Sequence, residues 1–124
     1  MLAGRQVRLA LHACSAAGQT WGLALADMGD PGLVGQALAD LQRSAAANIG
    51  AATPTPEAVQ VAGATPHAAS ARMRLQGRLP GGEPVRMQVA VFTRGTVVFQ
   101  ASALGTVLPD EPVEVFLASV RFQP

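Results

Sequence analysis

Apolar and polar positions alternate along several stretches of the chain. Over residues 5–14, Val7, Leu9, Leu11 and Ala13 fall on one face, and Arg8, Ala10 and His12 on the other. A period of two predicts a half-buried strand. Ser15-Ala16-Ala17-Gly18-Gln19 reads as a hairpin turn. A second strand follows over 20–27, with Trp21, Leu23 and Leu25 on one face and the small Thr20, Gly22, Ala24 and Ala26 on the other. Three more alternating runs come later. Ala71, Met73, Leu75, Gly77 and Leu79 oppose Arg72, Arg74, Gln76 and Arg78. Val85, Met87, Val89 and Val91 oppose Arg86, Gln88, Ala90 and Phe92. Val97, Phe99, Ala101 and Ala103 oppose Val98, Gln100, Ser102 and Leu104. Pro80-Gly81-Gly82-Glu83-Pro84 and Arg94-Gly95 are turn sequences between these runs, so the three strands form an antiparallel meander.

The period changes in two places. Leu33, Val34, Ala37, Leu38, Leu41, Ala45 and Ile49 recur at three and four, which predicts a helix over 31–49. Asp30 is placed to cap it, Pro31 suits its first position and Gly50 suits its stop. Val113, Phe116, Leu117 and Val120 predict a second helix, with Asp110 as its cap. The connection over 51–70 is rich in Ala, Thr, Pro and Gly, and Pro54 and Pro56 exclude a helix there. Ala58-Val59-Gln60-Val61 is a candidate short strand within it.

The predicted order is β-β-α-(β)-β-β-β-α. It describes one α+β domain over 1–124: an antiparallel sheet of about five to six strands covered by two helices. The first strand pair and the meander both keep apolar residues on their second face. Such a sheet needs cover on both sides, from helices or from a partner.

Composition narrows the function. The chain has 124 residues, long enough for a core without disulfides or metals. Hydrophobic residues make up 49%, charged residues 14%, and the formal net charge is +1. These values exclude a disordered tail, a disulfide scaffold, a collagen-like repeat and a strongly basic nucleic-acid binder. All basic side chains are Arg, and Ala is abundant. Ala buries little surface, so Leu, Val, Met, Phe and Trp21 must supply most of the core. No apolar run reaches the roughly 18 residues of a membrane-spanning helix. Leu11 to Cys14 faintly resembles a lipoprotein cleavage site, but the apolar stretch before it is too short for a signal core. A chain opening inside a strand fits loss of an upstream segment. The expectation is export to the periplasm if a signal segment was removed, and the cytoplasm otherwise.

Candidate chemistry is sparse. His12 and Cys14 share a strand face and could bind a metal or activate a thiolate, but a third ligand would have to be the distant His67. Cys14 has no second cysteine for an internal disulfide, and a structural role for both residues is the simpler reading. Arg72, Arg74 and Arg78 form a stripe that Arg86 can join from the next strand. Planar guanidinium forks suit phosphate or carboxylate, and a solvated face paired with Glu57 or Glu83 is the competing reading. Trp21 has the spacing of a core residue. Gly81-Gly82 is a hairpin turn rather than a phosphate loop, since neither a Lys nor a helix follows. No nucleophile elbow surrounds a Ser.

The Asp30-Pro31 helix after a hairpin, the Ala/Pro connection and the Arg72-Met73-Arg74-Leu75 strand together resemble the PsbP-like superfamily. Val98-Phe99-Gln100-Ala101 and the closing Asp110 to Phe122 helix extend the resemblance, which spans roughly residues 5–122. Small bacterial exported proteins of unknown role end in a similar way. The resemblance implies a non-catalytic binding or assembly role and transfers no site residue. The leading expectation is therefore a non-enzymatic, protein-binding or self-associating domain without a cofactor, acting through a sheet face or strand edge. The alternative is a small-molecule or anion binder using Arg72, Arg74, Arg78 and Arg86.

Overall fold

The meander is the centre of the fold. In the computed structural model, which describes residues 2–16, 18–52 and 55–122, β3 (Ala71–Arg78), β4 (Pro84–Arg94) and β5 (Val97–Gly105) pair antiparallel in sequence. Ala17 of the predicted hairpin turn and Pro54 of the predicted connection lie outside the described residues. β1 (Ala10–Ala16) pairs with β2 (Gln19–Asp27), and β2 joins the meander through β5. The result is one five-stranded antiparallel sheet of order β1-β2-β5-β4-β3.

One face of the sheet is covered by α1 (Val34–Asn48), entered through a single 3-10 turn at Pro31–Leu33. The Asp30 carboxylate accepts the Gly32 N–H at 2.8 Å, so the cap read from the sequence is formed. Val34, Ala37, Leu38, Leu41, Ala45 and Ala46 form the buried stripe of α1. They pack with Met73 and Leu75 of β3, Val85, Met87, Val89 and Val91 of β4, and Val98 of β5. Small residues on the helix let its backbone approach the sheet closely, which is where the abundant Ala is used.

The second face is covered by α2 (Asp110–Ser119), by residues 59–64 and by Phe122. Here Phe92 and Phe99 stack at 5.4 Å between ring centroids, and Phe122 sits edge-on to both. Trp21 lies against Phe116 of α2, with ring centroids 5.2 Å apart. Phe92 is fully buried, and burying a side chain of this size contributes about 1.5–3 kcal/mol.

Three details differ from the sequence pattern. The run before β1 is not a strand: Leu2 and Arg5 close a tight turn with two backbone bonds of 2.9 Å, and Leu2 is buried in the α1-side core. β1 itself is exposed at every position rather than half-buried, because α1 packs mainly on β4, β5 and β3. Ala58 to Val61 forms no strand. A single bridge, Glu57 to Arg72, touches β3 there, and Val59 and Val61 pack instead against the aromatic cluster around Phe92.

One close approach fixes α1 on the sheet. The Ile49 carbonyl accepts the Arg78 N–H at 2.8 Å. A Cβ on Gly77 would sit 2.0 Å from that same oxygen, so the contact needs a glycine. Gly77→Ala is expected to destabilise the domain by about 3 kcal/mol, read as a lower urea midpoint with an unchanged slope. Gly81, with nothing within 4 Å of an added Cβ, is the control. Its replacement by Ala should stay within about 0.5 kcal/mol of the parent.

Candidate anion-binding site

Alternation in β3 places Arg72, Arg74, Gln76 and Arg78 on the α2 side of the sheet, and β4 adds Arg86 and Gln88. The register sets Arg72 opposite Ala90, Arg74 opposite Gln88 and Gln76 opposite Arg86. Arg86 is therefore diagonal to both Arg74 and Arg78, within reach of long side chains.

The stripe divides where α2 begins. Arg72 and Arg74 lie under the helix and meet its carboxylates. Arg72 donates to Glu114 at 2.5 Å and to the Gln88 side-chain carbonyl at 2.6 Å. Gln88 donates to Asp110 at 3.1 Å, and Arg74 donates to the same Asp110 oxygen at 3.0 Å. Arg74 also lies 3.9 Å from Glu114 and 3.8 Å from Glu57. The five residues Arg72, Gln88, Asp110, Arg74 and Glu114 thus close a ring of polar contacts between sheet and helix. Asp110 is not the α2 cap: Pro109 holds that position, and the Asp110 side chain is turned to the sheet. Arg72 is only 14% exposed along its side chain, so its charge depends on these partners.

Arg78 and Arg86 lie beyond the helix and meet none of those carboxylates. They line a concavity of about 630 Å³ at the end of the sheet, with Gln76, Thr106, Ile49, Gly50, Gly77, Pro84 and Val85. No carboxylate lines it among the described residues. Arg78 donates one N–H to the Gly82 carbonyl at 2.8 Å and makes no ion pair among the described residues. Arg86 makes no ion pair among the described residues and also borders two adjoining hollows, one toward Arg74 and Asp110 and one toward Thr106 to Pro109. The volume lies in the range of small-molecule sites, and the walls offer guanidinium, amide and hydroxyl groups. The sequence had singled out all four arginines but not their division. Nor had it found Gly77, whose interruption of an apolar strand face is the usual mark of a close backbone approach.

His12 and Cys14 are exposed on β1, beside Trp21 and Phe116. His67 lies across the sheet, its ring against Gly35 at the start of α1 and its Nδ1 accepting the Ala69 N–H at 3.0 Å. The structure does not bring the three together, and no group of metal-ligating residues forms among the described residues. No family model and no curated protein matches this chain.

The Arg72 hydrogen bond holds the Glu114 carboxyl below its usual range, and the nearby Arg72 and Arg74 charges act in the same direction. Asp40 is lowered too, first by the Ala3 N–H and further by Gln36 and Arg43. Because the folded values are depressed, the stability they contribute is complete above the ordinary carboxylate range and is lost as pH falls below that range through the lowered folded values. Acid should therefore loosen α2. Trp21 fluorescence reports this directly, since Phe116 is its neighbour. Glu114→Gln is expected to flatten the acid limb of that titration while leaving the neutral-pH spectrum close to the parent; an unchanged acid limb would show that the ring does not hold α2.

Proposed function

We propose that this domain binds a small phosphate- or carboxylate-bearing ligand through Arg78 and Arg86. The observation that carries the reading is the division of the arginine stripe. Arg72 and Arg74 are neutralised by Asp110, Glu114 and Glu57, whereas Arg78 and Arg86 share a concavity whose described wall holds no carboxylate. Two unneutralised guanidinium groups on neighbouring strands suit bidentate capture of an anion. Gln76 and Thr106 add neutral hydrogen-bonding groups that can orient it. The role is binding without catalysis, in line with what the PsbP-like resemblance implies. A second reading, a protein-binding or assembly module, draws on another part of the molecule: the β1 edge, exposed along its whole length.

Thermal unfolding in phosphate, pyrophosphate and citrate, against chloride at matched ionic strength, tests the anion reading. A ligand at about ten times its Kd stabilises by about 1.4 kcal/mol, roughly a 4–6 °C rise for a domain of this size. Arg78→Gln and Arg86→Gln should each remove most of that rise. Arg72→Gln should lower the starting Tm and keep the rise. Absence of any anion-specific rise in the parent protein would sink the proposal.

A further inference from the structure

The two edges of the sheet are built differently. At the β3 edge, Glu57 exchanges two backbone bonds of 2.8 Å with Arg72, Ile49 accepts from Arg78, and three arginines line the strand. Charge and cover of this kind keep an edge from pairing with another chain. β1 has neither. Its sequence, Ala-Leu-His-Ala-Cys-Ser-Ala, contains no Asp, Glu, Lys, Arg or Pro. Its register with β2 is continuous from Ala10–Leu25 to Ala16–Gln19, so no bulge twists the edge away. In an antiparallel pair, alternate residues point their N–H and C=O groups away from the partner strand. Among the described residues, those outward groups of β1 meet no other backbone.

The side chains beside this edge are apolar on both faces. Leu9 is 51% and Leu11 65% exposed, two of the four large hydrophobic side chains found exposed among the described residues. On the other face, Trp21, Leu23 and Phe116 border a shallow hollow with His12 and Cys14.

We propose that β1 pairs antiparallel with β1 of a second copy of this chain, joining two five-stranded sheets into one across a two-fold axis. The proposal rests on the assembly reading and gives it one occupant. Self-pairing suits this strand for two reasons. First, a register centred on Ala13 sets Leu11 opposite Ser15 and His12 opposite Cys14, and it meets outward groups with outward groups throughout. Each Leu11 then flanks the small Ala13 pair, where there is room for it, and the two leucines cover the same face. Second, the charge pattern permits it. In this register Arg8 falls opposite Gly18, so no like charges face each other. An isologous contact of this kind closes on itself and does not propagate.

Light scattering across a dilution series, with three proteins, tests the proposal. The parent chain should show the mass of two copies and dissociate on dilution. Ala13→Lys should be monomeric, since it sets two lysines opposite each other on the axis, while keeping the parent's circular dichroism, because residue 13 is exposed. Ala13→Asp should be monomeric for the same reason. An equimolar mixture of the two should recover the paired mass, a result that requires residue 13 to face itself. A parent protein that stays monomeric overturns both the self-pairing and the assembly reading. A parent dimer that survives Ala13→Lys overturns the β1 pairing and leaves assembly through another surface.

Discussion

A strand buried on both faces is the constraint from which the architecture follows. From Met87 to Thr93, every residue of β4 is buried. An antiparallel strand of this kind needs a layer on each side, and the chain supplies them from its two helices. α1 covers the aliphatic face. α2, the 59–64 segment and Phe122 cover the aromatic one. The two polar side chains buried among the described residues, Gln88 and Thr93, both lie on this strand and both are satisfied. Thr93 donates to the Gly95 and Val97 carbonyls around the turn. Gln88 accepts from Arg72 and donates to Asp110. Unpaired, either would cost about 1–3 kcal/mol.

Gln88 also links packing to electrostatics. It lies under the first turn of α2 and receives Asp110 there, and that placement carries the helix carboxylates over Arg72 and Arg74. The starting point of α2 thus decides which arginines are paired and which face solvent. Arg78 and Arg86 remain accessible because the helix begins above Gln88. The floor of their concavity is held at the same time by α1, whose Ile49 carbonyl is fastened to β3 beside Gly77. A concavity on two paired strands and a fixed helix end is held open by the fold itself, so the proposed anion would meet it with little ordering cost.

The sequence was most readable where local pattern and burial agree. β2, β3, β4, β5 and α1 lie close to where alternation, turn residues and the Asp30 cap place them, although in β2 the small face of Gly22, Ala24 and Ala26 is the buried one and Trp21, Leu23 and Leu25 are half-buried. It misled where burial depends on a distant element. Leu9 and Leu11 alternate like core residues, yet α1 stops short of them. Val59 and Val61 have strand character, but the aromatic cluster offers them more contact than an edge position would. Asp110 has the residue type of a cap, and Arg74 and Gln88 of the sheet compete for it successfully. The four arginines were visible as a stripe. Their division was not, because it depends on where a helix about 40 residues later in the chain is set down.

The strand order has a kinetic consequence. The β1–β2 hairpin and the β3–β4–β5 meander each close through short turns, so each holds mostly local contacts. The join between them, β2 against β5, brings Leu23 opposite Ala101. That seam connects segments roughly 80 residues apart and forms only after a large loop has closed. It also carries the full length of β2, from Gln19–Gly105 to Asp27–Val97. Opening that seam would free the hairpin as a unit, while the meander keeps its own pairings, and sub-global unfolding of this kind precedes global unfolding in many domains. The fold therefore joins two locally paired pieces through one long ladder between distant segments, reinforced by the packing of Trp21 on Phe116 and of Ala26 and Met28 in the α1-side core.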